Sequence, residues 1–554
     1  MKTNKILLLQ LCLVSIFTAC TSNEEKNEGI DAMQAVEFKV DFADYNEDEE
    51  VDATRTGNGK ICEQVNLEQK VIDLGDNIIA HCTLQRDTTL QSRQGATRTL
   101  PNETYTMLAY DANDHSFKGE LSGIVRYNKF TPTTASKLRL SPGLYDFVLF
   151  NSKITRNGNF LSVNIADADA ALIGRTRQSI NLTPRDQQVA FTLKHVGAKV
   201  KIQFTGYMAF YGVNARLESI NATDVPGSSI YNAATGQWDI GSGAAISNTA
   251  TYSSGGNSYN GAYIALGKEN MFMPATEVSK LRVVFTSGTI YNQNMANVGL
   301  TFTSPLKLEQ NGSYILNVRL MYRFLYLMSD GTVDFLSSTP YGGVGGTKTP
   351  IAIILSQSQG MAVSLKLASN SRIGFGGGYS NPQYNTYMST SQNGVLNERA
   401  TSGFEETWNA GYSTNNVPGD KVKGNNPFLS AFYTAAHYNP GVSYTGWPPI
   451  QWYLPSASDF RWMCTLGMIN RTTVTKTYTY YDWNENLVRA AFTQAGGNDV
   501  ASISGSPSFW TSSEQFSGGI RKQIVVLIVP SLHFGFGYRD PLDKKYVLPF
   551  VKYK

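Results

Sequence analysis

The chain has 554 residues, so a usual domain size of about 150 residues predicts three or four domains rather than one hydrophobic core. Its formal net charge is +3 and 16% of its residues are charged. This balance excludes the strongly positive electrostatic field by which a protein attracts nucleic acid. Hydrophobic residues make up 42%, and the abundance of Gly (49) and Tyr (30) is typical of a β-rich extracellular protein with many turns.

The N-terminus has the layout of a secretory signal peptide. Lys2 and Lys5 precede an apolar stretch that is shorter than the about 20 residues of a membrane-spanning helix. The stretch ends in "FTAC", which resembles a bacterial lipobox, whose cysteine is acylated and becomes the first residue of the mature chain. We therefore expect a lipoprotein signal peptide over residues 1–19 and lipidation of Cys20. The alternative is an ordinary signal peptide in which Cys20 has no role.

Residues 20–34 are predicted to be a flexible acidic tether. Glu24, Glu25 and Glu28 occur here with almost no apolar residue, so the segment cannot offset the entropy cost of ordering. Acidic residues just after the lipid cysteine resemble the surface-export signal of lipoproteins in Bacteroidetes-type bacteria. A plain solvated spacer is the alternative interpretation.

Residues 35–190 are predicted to form an N-terminal β-sandwich. The segment opens with "AVEFKVDF", residues 35–42, where apolar and charged residues alternate over eight positions as in a half-buried strand. The acidic segment "ADYNEDEEVDATRTGNGK" follows and should be an exposed, protease-accessible loop. Short β-branched or aromatic segments then alternate with turn signals, in a rhythm typical of a sandwich with Greek-key connections: "KVIDL", "NIIAHCTL", "TYTMLAYD" and "GLYDFVLFN".

A second all-β domain is predicted over residues 191–322. Near its start, Val200, Ile202 and Phe204 alternate with polar residues, and "GSYILNVRLMY" at its end repeats the pattern. No helical period longer than a turn or two is evident in either of these two blocks.

Residues 323–554 differ from the preceding blocks and are predicted to form an α+β domain. Six of the seven tryptophans occur here, and "IVVLIVP" is an apolar run typical of a strand buried on both faces. Helical spacing of apolar residues predicts two helices, within "NPFLSAFYTAAHY" and "SASDFRWMCTLGMI". Ser456 or Ser458 could cap the second helix.

No catalytic constellation, metal site or cofactor motif is found in the sequence. The acidic stretches from Asp44 and Asp482 lack the glycine and the final glutamate of a calcium loop, and "GGVGGTKT" fails the phosphate-loop pattern. The five histidines are widely separated. Beyond the signal peptide and Cys20, the cysteines are Cys62, Cys82 and Cys464, which can form at most one internal disulfide. We therefore expect a binding or structural protein rather than an enzyme.

Three tryptophans are the candidate ligand-binding residues. Trp408, Trp447 and Trp483 lie in predicted loops, where a large aromatic surface can stack on a sugar ring or an apolar partner. The alternative is that they pack within the domain and steady its long loops. The tryptophans on predicted elements are expected in the core: Trp452, Trp462 and Trp510.

Two sets of segments resemble known families. "TRTLPNETYTMLAYD" with "LSPGLYDFVLFN", and "FTLKHVGAKVKIQF" with "NGSYILNVRL", resemble the fimbrillin-like pilins of Bacteroidales. That resemblance covers roughly residues 35–322 and implies two tandem transthyretin-like β-sandwiches. "YLMSDGTVDF", "KTPIAIIL", "WYLPSASDF", "FWTSSE" and "VLPFVKYK" resemble C-type-lectin-like domains at the end of surface and pilus-tip proteins from the same bacteria. A paired calcium motif of such lectins is missing, so calcium-dependent sugar binding is not expected.

The pilin resemblance implies assembly by donor-strand exchange. In these pilins a trypsin-like protease cuts at an arginine, the first strand leaves, and a strand from another subunit takes its place by β-strand addition. Residues 35–42 would be the removable strand, and Arg55 in "DATRTG" the processing site. Arg93 and Arg98 are alternatives, and a plain loop arginine remains open. Because the chain ends in a globular domain instead of a donor strand, a place at the pilus tip is implied.

The expected function is that of a cell-surface fimbrial tip or accessory adhesin, made as an outer-membrane lipoprotein precursor. Its partners would be other pilin subunits, the outer membrane through the lipid, and a glycan or protein ligand. The alternative is a surface glycan-binding lipoprotein outside any pilus. A secreted hydrolase is a third hypothesis.

Overall fold

The structure is a computed structural model that is mainly β, which confirms the expected fold class. By internal contacts the chain divides into two compact units. Unit 1 contains Met1–Gly57, Thr89–Ala198 and Pro226–Ser242, and unit 2 contains Asn58–Thr88, Lys199–Val225 and Gly243–Lys554. The residues that the structure describes are 30–31, 36–46, 64–87, 100–133, 138–183, 187–255, 261–336, 348–377, 383–387, 402–468, 480–501, 503, 507–517, 520–529 and 533–554.

The strands of the described residues are numbered in chain order. Those up to residue 195 are β1 Ile30–Asp31, β2 Val36–Ala43, β3 Val65–Asn66, β4 Ile72–Gly75, β5 Ile78–Arg86, β6 Thr104–Asp111, β7 Phe117–Arg126, β8 Lys129–Pro132, β9 Arg139–Leu140, β10 Gly143–Asn151, β11 Thr155–Asn157, β12 Phe160–Asn164, β13 Leu172–Ile180 and β14 Gln187–His195. Those up to residue 322 are β15 Ala198–Gly206, β16 Val213–Ser219, β17 Val225–Pro226, β18 Ser228–Asn232, β19 Gln237–Ile240, β20 Gly243–Ala244, β21 Ser247–Tyr252, β22 Tyr263–Phe272, β23 Leu281–Ser287, β24 Thr289–Ile290, β25 Gln293–Asn294, β26 Gly299–Thr301 and β27 Ser313–Tyr322.

The last part of the chain contains the remaining strands and the α-helices of the described residues. Its strands are β28 Tyr326–Met328, β29 Val333–Asp334, β30 Pro350–Ser356, β31 Met361–Ser364, β32 Ile373–Gly374, β33 Gln451–Tyr453, β34 Tyr480–Asp482, β35 Ser508–Ser517, β36 Ile520–Val529, β37 His533–Arg539, β38 Lys544–Lys545 and β39 Phe550–Lys552. Its helices are α1 Gly403–Trp408, α2 Ser430–Ala436, α3 Ala457–Phe460, α4 Met463–Leu466 and α5 Glu485–Thr493.

The main sheet of unit 1 closes on itself as a barrel, in the strand order β10, β13, β14, β2, β8, β7, β6. Alternating apolar residues of these strands point inward and form one core, in which Phe147, Phe191 and Tyr105 are at most 1% exposed. A four-stranded sheet of β11, β12, β18 and β19 also belongs to unit 1. The period-two pattern of the sequence therefore places its apolar face in a closed core, where each buried side chain is removed from water.

Two facing sheets form the β-sandwich of unit 2. One has the strand order β22, β15, β27, β5, β3, with β4 also paired to β5, and the other has the order β21, β16, β23, β26. The Phe204 ring of β15 lies 4.6 Å from the Tyr252 ring of β21 and 5.2 Å from the Phe285 ring of β23. Because these rings come from opposite sheets, the aromatic contacts mark the sandwich core.

The position of β5 differs from the sequence expectation. Its segment was grouped with the first sandwich over residues 35–190, but β5 pairs antiparallel with β27 along nine residues of unit 2. Conversely, Pro226–Ser242 lies in unit 1, although the second block was expected to span residues 191–322. Apolar alternation indicates a half-buried strand but does not specify its partner, and long-range pairing decides which sheet receives it.

The C-terminal part of unit 2 combines a six-stranded sheet with short helices. The sheet order is β29, β28, β30, β31, β39, β33, and β34, β37, β36 and β35 form a second sheet. The last strand, β39, pairs with β31 on one edge and β33 on the other, so it lies inside its own sheet. This agrees with the α+β composition expected for residues 323–554.

The two helices expected from the sequence are present but shorter. Helix α2 lies within "NPFLSAFYTAAHY", whereas "SASDFRWMCTLGMI" contains the two short helices α3 and α4. Ser456 is the N-cap of α3 and forms a capping box with Asp459. Helices α1 and α5 were not expected. Within the described ranges, no helix is both long and apolar enough to cross a membrane.

Candidate functional site

Several candidate residues lie outside the described residues. They are the lipidation site Cys20, the processing site Arg55 and its alternatives Arg93 and Arg98. Their roles stay predictions. Cys62 also lies outside, while Cys82 and Cys464 are buried.

Strand β2, which contains most of the expected removable strand, lies in the barrel wall between β14 and β8. It pairs in parallel with β14 over all eight of its residues. On its other edge it pairs antiparallel with β8 at Phe38 and Lys39, and the Val40 amide donates to the Asn128 carbonyl at 2.8 Å. Both neighbours are distant from β2 in the sequence, so no hairpin turn joins β2 to either of them. Interstrand hydrogen bonds and side-chain contacts therefore hold β2 in place.

The side chains of β2 alternate between the barrel core and solvent. Phe38 is 2% exposed and Val40 is fully buried, whereas Lys39 and Asp41 are exposed. The Phe38 ring contacts that of Phe130 edge-on, with 6.1 Å between the ring centroids. Burying such side chains contributes about 1.5–3 kcal/mol each. An extended segment with the same alternation could occupy this position and bury the same face.

The C-terminal end of β2 leads into a compact polar and aromatic cluster. The ring of Tyr45 stacks on that of His195 with 4.1 Å between centroids, and the Tyr45 hydroxyl donates to Asp169 Oδ1 at 2.8 Å. Asp44 Oδ1 lies 3.4 Å from His195 Nε2. These contacts tie the residues just after β2 to the end of β14 and therefore fix where the strand ends.

The candidate tryptophans occupy three different environments. Trp447 is 87% exposed. Trp408, which was expected in a loop, is the last residue of helix α1. It is half-buried, and its indole N–H donates to the Trp452 carbonyl at 2.9 Å. Trp483 is 7% exposed and belongs to the core, contrary to the expectation of a loop residue facing a ligand. Of these three, Trp447 presents its ring to solvent.

The loop that carries Trp447 is anchored by backbone contacts. The Thr445 amide donates to the Ser329 carbonyl at 2.8 Å, and the Trp447–Pro448 peptide bond is cis. Gly331 has φ +86° and faces Gly446 so closely that a Cβ at Gly331 would lie 2.9 Å from the Gly446 Cα. The absence of a side chain there lets the two backbones meet and holds the Trp447 loop in place.

The motif "FWTSSE" supplies a buried polar network that sequence reasoning did not assign to any role. Glu514 accepts hydrogen bonds from the backbone N–H groups of Tyr384 and Asn385 at 3.0 and 2.9 Å. Arg521, which is 2% exposed, lies 3.2 Å from Glu514 and stacks 4.0 Å from the Tyr384 ring centroid. The network fixes a loop to the sheet, which is a structural role.

A second buried pair joins α1 to the segment before α2. Lys423 Nζ lies 2.7 Å from Glu406 Oε2, and both side chains are fully buried. Burial raises the pKa of Glu406 to about 7, although the nearby lysine opposes this shift. No cluster of three or more His, Cys, Asp or Glu suited to a metal occurs in the part of the chain that the structure describes. The buried charges therefore act on one another inside the fold.

Comparison with known proteins identifies a fimbrillin-like region. Residues 172–323 match the family model described as Fimbrillin-like, which confirms the resemblance noted from the sequence over that range. No curated protein matches the chain. The resemblance of residues 323–554 to C-type-lectin-like domains stays a prediction.

The chain is also similar to solved structures of proteins described as cell adhesion or fimbrial assembly proteins. A protein assigned to cell adhesion from Bacteroides uniformis is 14% identical, with a TM-score of 0.27, over 40% of this chain and 87% of that chain. A second one, from Bacteroides ovatus, is 10% identical, with a TM-score of 0.29, over 52% and 92%. A fimbrial assembly protein from Parabacteroides distasonis is 9% identical, with a TM-score of 0.25, over 47% and 96%.

Proposed function

We propose that this chain, with its fimbrillin-like region over residues 172–323, is a cell-surface fimbrial tip or accessory subunit that acts as an adhesin. Its assembly step is replacement of β2 by an extended segment of another subunit. The observation that carries the proposal is the position of β2, which completes the barrel between β14 and β8 without a hairpin to either neighbour. Its partners are thus other pilin subunits.

The side chains of β2 support this exchange. Main-chain hydrogen bonds to β14 would supply the binding affinity for a donor strand. The core positions that Phe38 and Val40 now fill would determine which donor sequences fit. The donor must carry apolar residues at alternate positions, because a shift by one residue would turn its apolar face to solvent.

Removal of β2 requires a cut between it and the rest of unit 1. We propose Arg55 as the processing site because it follows the strand in an acidic segment with no apolar periodicity. Upstream, a lipid on Cys20 would hold the precursor at the outer membrane, and the cut would release the body from that anchor.

The C-terminal part of the chain is proposed to bind the ligand, as an adhesin domain at a pilus tip. Two observations support this role: the exposed ring of Trp447 on an anchored loop, and the enclosure of β39 within its own sheet. Because β39 is paired on both edges, it is unsuited to donation, and we propose that this subunit accepts a strand.

An arginine-specific protease tests the processing step. The precursor chain with an unmodified Cys20 should be cut after Arg55, and Arg55→Lys should stop that cut because it keeps the charge while removing the specificity determinant. Arg93→Lys is the matched control and should leave the fragment masses unchanged. Intact-mass spectrometry reads both results. A chain that is cut first at Arg93 would contradict the assignment of Arg55.

Exchange itself is tested by adding pilin subunits to the cut protein. A stable complex that forms only after cleavage and survives size-exclusion chromatography is the expected result. A cut body that keeps its β2 fragment, or that binds no pilin subunit, would refute the exchange.

A surface glycan-binding lipoprotein outside any pilus is the second candidate function, and the exposed Trp447 favours it. Glycan-array binding by the uncut protein, lost in Trp447→Ala and independent of any pilin, would support this alternative.

A further inference from the structure

The solvent-facing side of β2 differs in charge from the two strands that flank it. On that side β2 carries Glu37, Lys39 and Asp41. Neither neighbour contains an acidic residue, since β8 has the sequence KFTP and β14 the sequence QQVAFTLKH. Each neighbour contributes one lysine, Lys129 in β8 and Lys194 in β14. Among these three strands the carboxylates therefore belong to β2, and the flanking strands are basic.

Glu37 contacts both flanking strands. Lys129 Nζ of β8 lies 3.1 Å from Glu37 Oε1, and Gln188 Nε2 of β14 donates to Glu37 Oε2 at 3.3 Å. The side chains of Glu37 and Lys129 are 40% and 54% exposed, so an incoming strand can reach the lysine from solution. Each carboxylate oxygen thus has a partner on a different strand, and one residue of β2 bridges its two neighbours.

Two lysines create the need for this carboxylate. Lys39 and Lys129 lie directly opposite each other in the pairing of β2 with β8. Like charges in such a position destabilise a strand pair. Glu37 lies two residues before Lys39 on the same side of the strand and offsets both charges. Lys129, followed by Lys39, holds the pKa of Glu37 below its ordinary value, so the side chain is ionised at neutral pH.

The turn between β7 and β8 places Lys129. Tyr127 and Asn128 have φ +50° and +58°, so the chain reverses tightly and Lys129 is the first residue of β8. Asn128 Nδ2 also donates to Asp41 Oδ1 at 3.4 Å, which gives the second carboxylate of β2 a partner on the same hairpin. The hairpin belongs to the barrel and not to β2, so it would present the lysine to any strand that occupies this position.

We propose that the strands flanking β2 select a donor strand that carries a carboxylate at the position of Glu37. This selection rests on the proposed strand exchange and adds a second requirement to it. Apolar side chains fill the core positions, and an acidic side chain beside the Phe38 position faces Lys129. A neutral residue there would leave Lys129 without its carboxylate, and a basic one would add a third positive charge. The partner is a pilin subunit whose donor segment has this acidic residue.

Peptide capture by the full protein, cut after Arg55 and with both fragments present, tests the proposal. Labelled peptides have the sequence of residues 35–42, either unchanged or with Glu37→Gln or Glu37→Lys, and fluorescence polarisation gives each affinity. The Glu37→Lys peptide should bind about fivefold more weakly than the unchanged one, with Glu37→Gln between them. The difference should shrink in about 0.5 M salt, because ions screen exposed charges.

Lys129→Glu in the cut protein should reverse this preference, so that the Glu37→Lys peptide binds best. Lys118→Glu is the matched control, because it makes the same charge change on β7, where Lys118 lies 3.5 Å from Asp111. It should keep the original order of affinities. Circular dichroism checks that each variant is folded, and Lys129→Gln, which should abolish the preference, replaces Lys129→Glu if that variant does not fold.

The outcomes separate this inference from the exchange on which it rests. Equal capture of the three peptides, or a preference that survives substitution of Lys129, would overturn the charge selection and leave strand exchange standing. Failure to capture even the unchanged peptide would refute the exchange, and the charge selection would fall with it.

Discussion

Phe38 is the residue through which β2 contributes most to the barrel core. Its ring lies edge-on to Phe130 and 6.3 Å from the ring centroid of Phe147. Truncating a buried phenylalanine to alanine costs about 3–5 kcal/mol, because it removes apolar contact and leaves a cavity. The neighbouring Lys39 points to solvent and makes a natural comparison.

We expect Phe38→Ala to loosen β2 in the uncut chain. Hydrogen exchange of the backbone amides in β2 and β14 should become faster. The increase in exchange rate should correspond to a loss of about 3 kcal/mol in the free energy of local opening of these strands. Exchange measured by mass spectrometry tests this. Lys39→Ala should leave exchange almost unchanged, and equal effects of the two variants would argue against a core role for Phe38.

The buried Glu406–Lys423 pair makes a pH-dependent contribution to stability. Because burial raises the pKa of Glu406 to about 7, the folded state binds a proton more tightly than the unfolded state does. The resulting stabilisation is fully present below the ordinary glutamate pKa of 4.5 and is lost as the pH rises through about 7.

Glu406→Gln should remove this dependence. Between pH 4.5 and 7, the stability of the parent relative to the variant should fall by up to about 1.4 kcal/mol per pH unit. Thermal unfolding followed by tryptophan fluorescence measures it, since six of the seven tryptophans lie in the same part of the chain as Glu406. Parallel pH profiles for the two proteins would show that Glu406 does not titrate in this range.

At the scale of the element, β2 shows how alternation and register determine which segment can fill the barrel. Eight residues pair in parallel with β14, and Phe38 and Val40 are buried whereas Lys39 and Asp41 are exposed. A peptide with the sequence "AVEFKVDF" of residues 35–42 should therefore bind the cut body in place of the original strand.

A peptide with the same composition but with its apolar residues moved by one position tests register. It should bind at least about a hundredfold more weakly, because it would turn charged side chains into the core and apolar ones to solvent. Fluorescence polarisation with labelled peptides gives the two affinities. Equal binding would mean that the main chain alone, without the alternating side chains, governs recognition.

At the scale of the whole molecule, the proposed location depends on a lipid. Each buried CH₂ of an acyl chain contributes about 0.8 kcal/mol, so two or more chains on Cys20 would hold the precursor firmly at a membrane. Cys20→Ala should move the protein from the membrane fraction to the soluble or secreted fraction. Cys12→Ala, in the apolar part of the predicted signal peptide, is the matched control and should leave the distribution unchanged.

Mass spectrometry of the native N-terminus checks the same prediction directly. It should find acylated Cys20 on the precursor and a body that begins after an arginine on the assembled form. A mature protein that begins elsewhere without a lipid would contradict the anchor.

The period of the apolar residues was sufficient to predict β2, β15, β27 and the mainly β composition, because side chains of a strand alternate faces whatever its partners are. Ser456 was one of the two residues predicted to cap the helix, and the structure confirms it as the N-cap. The sequence could predict this because capping depends on residues close in sequence. The resemblance to fimbrillin-like pilins was likewise readable from short segments and is confirmed over residues 172–323.

Long-range partners were decided only by the tertiary structure. Alternation could not tell that β5 pairs with β27, nor that Trp483 is buried while Trp447 is exposed, because the sequence pattern of a segment does not contain its distant neighbours. The same holds for Glu68 and Arg323, which lie 255 positions apart in the chain and line one cavity. Local periodicity thus determined the elements of this protein, and packing determined which residues meet.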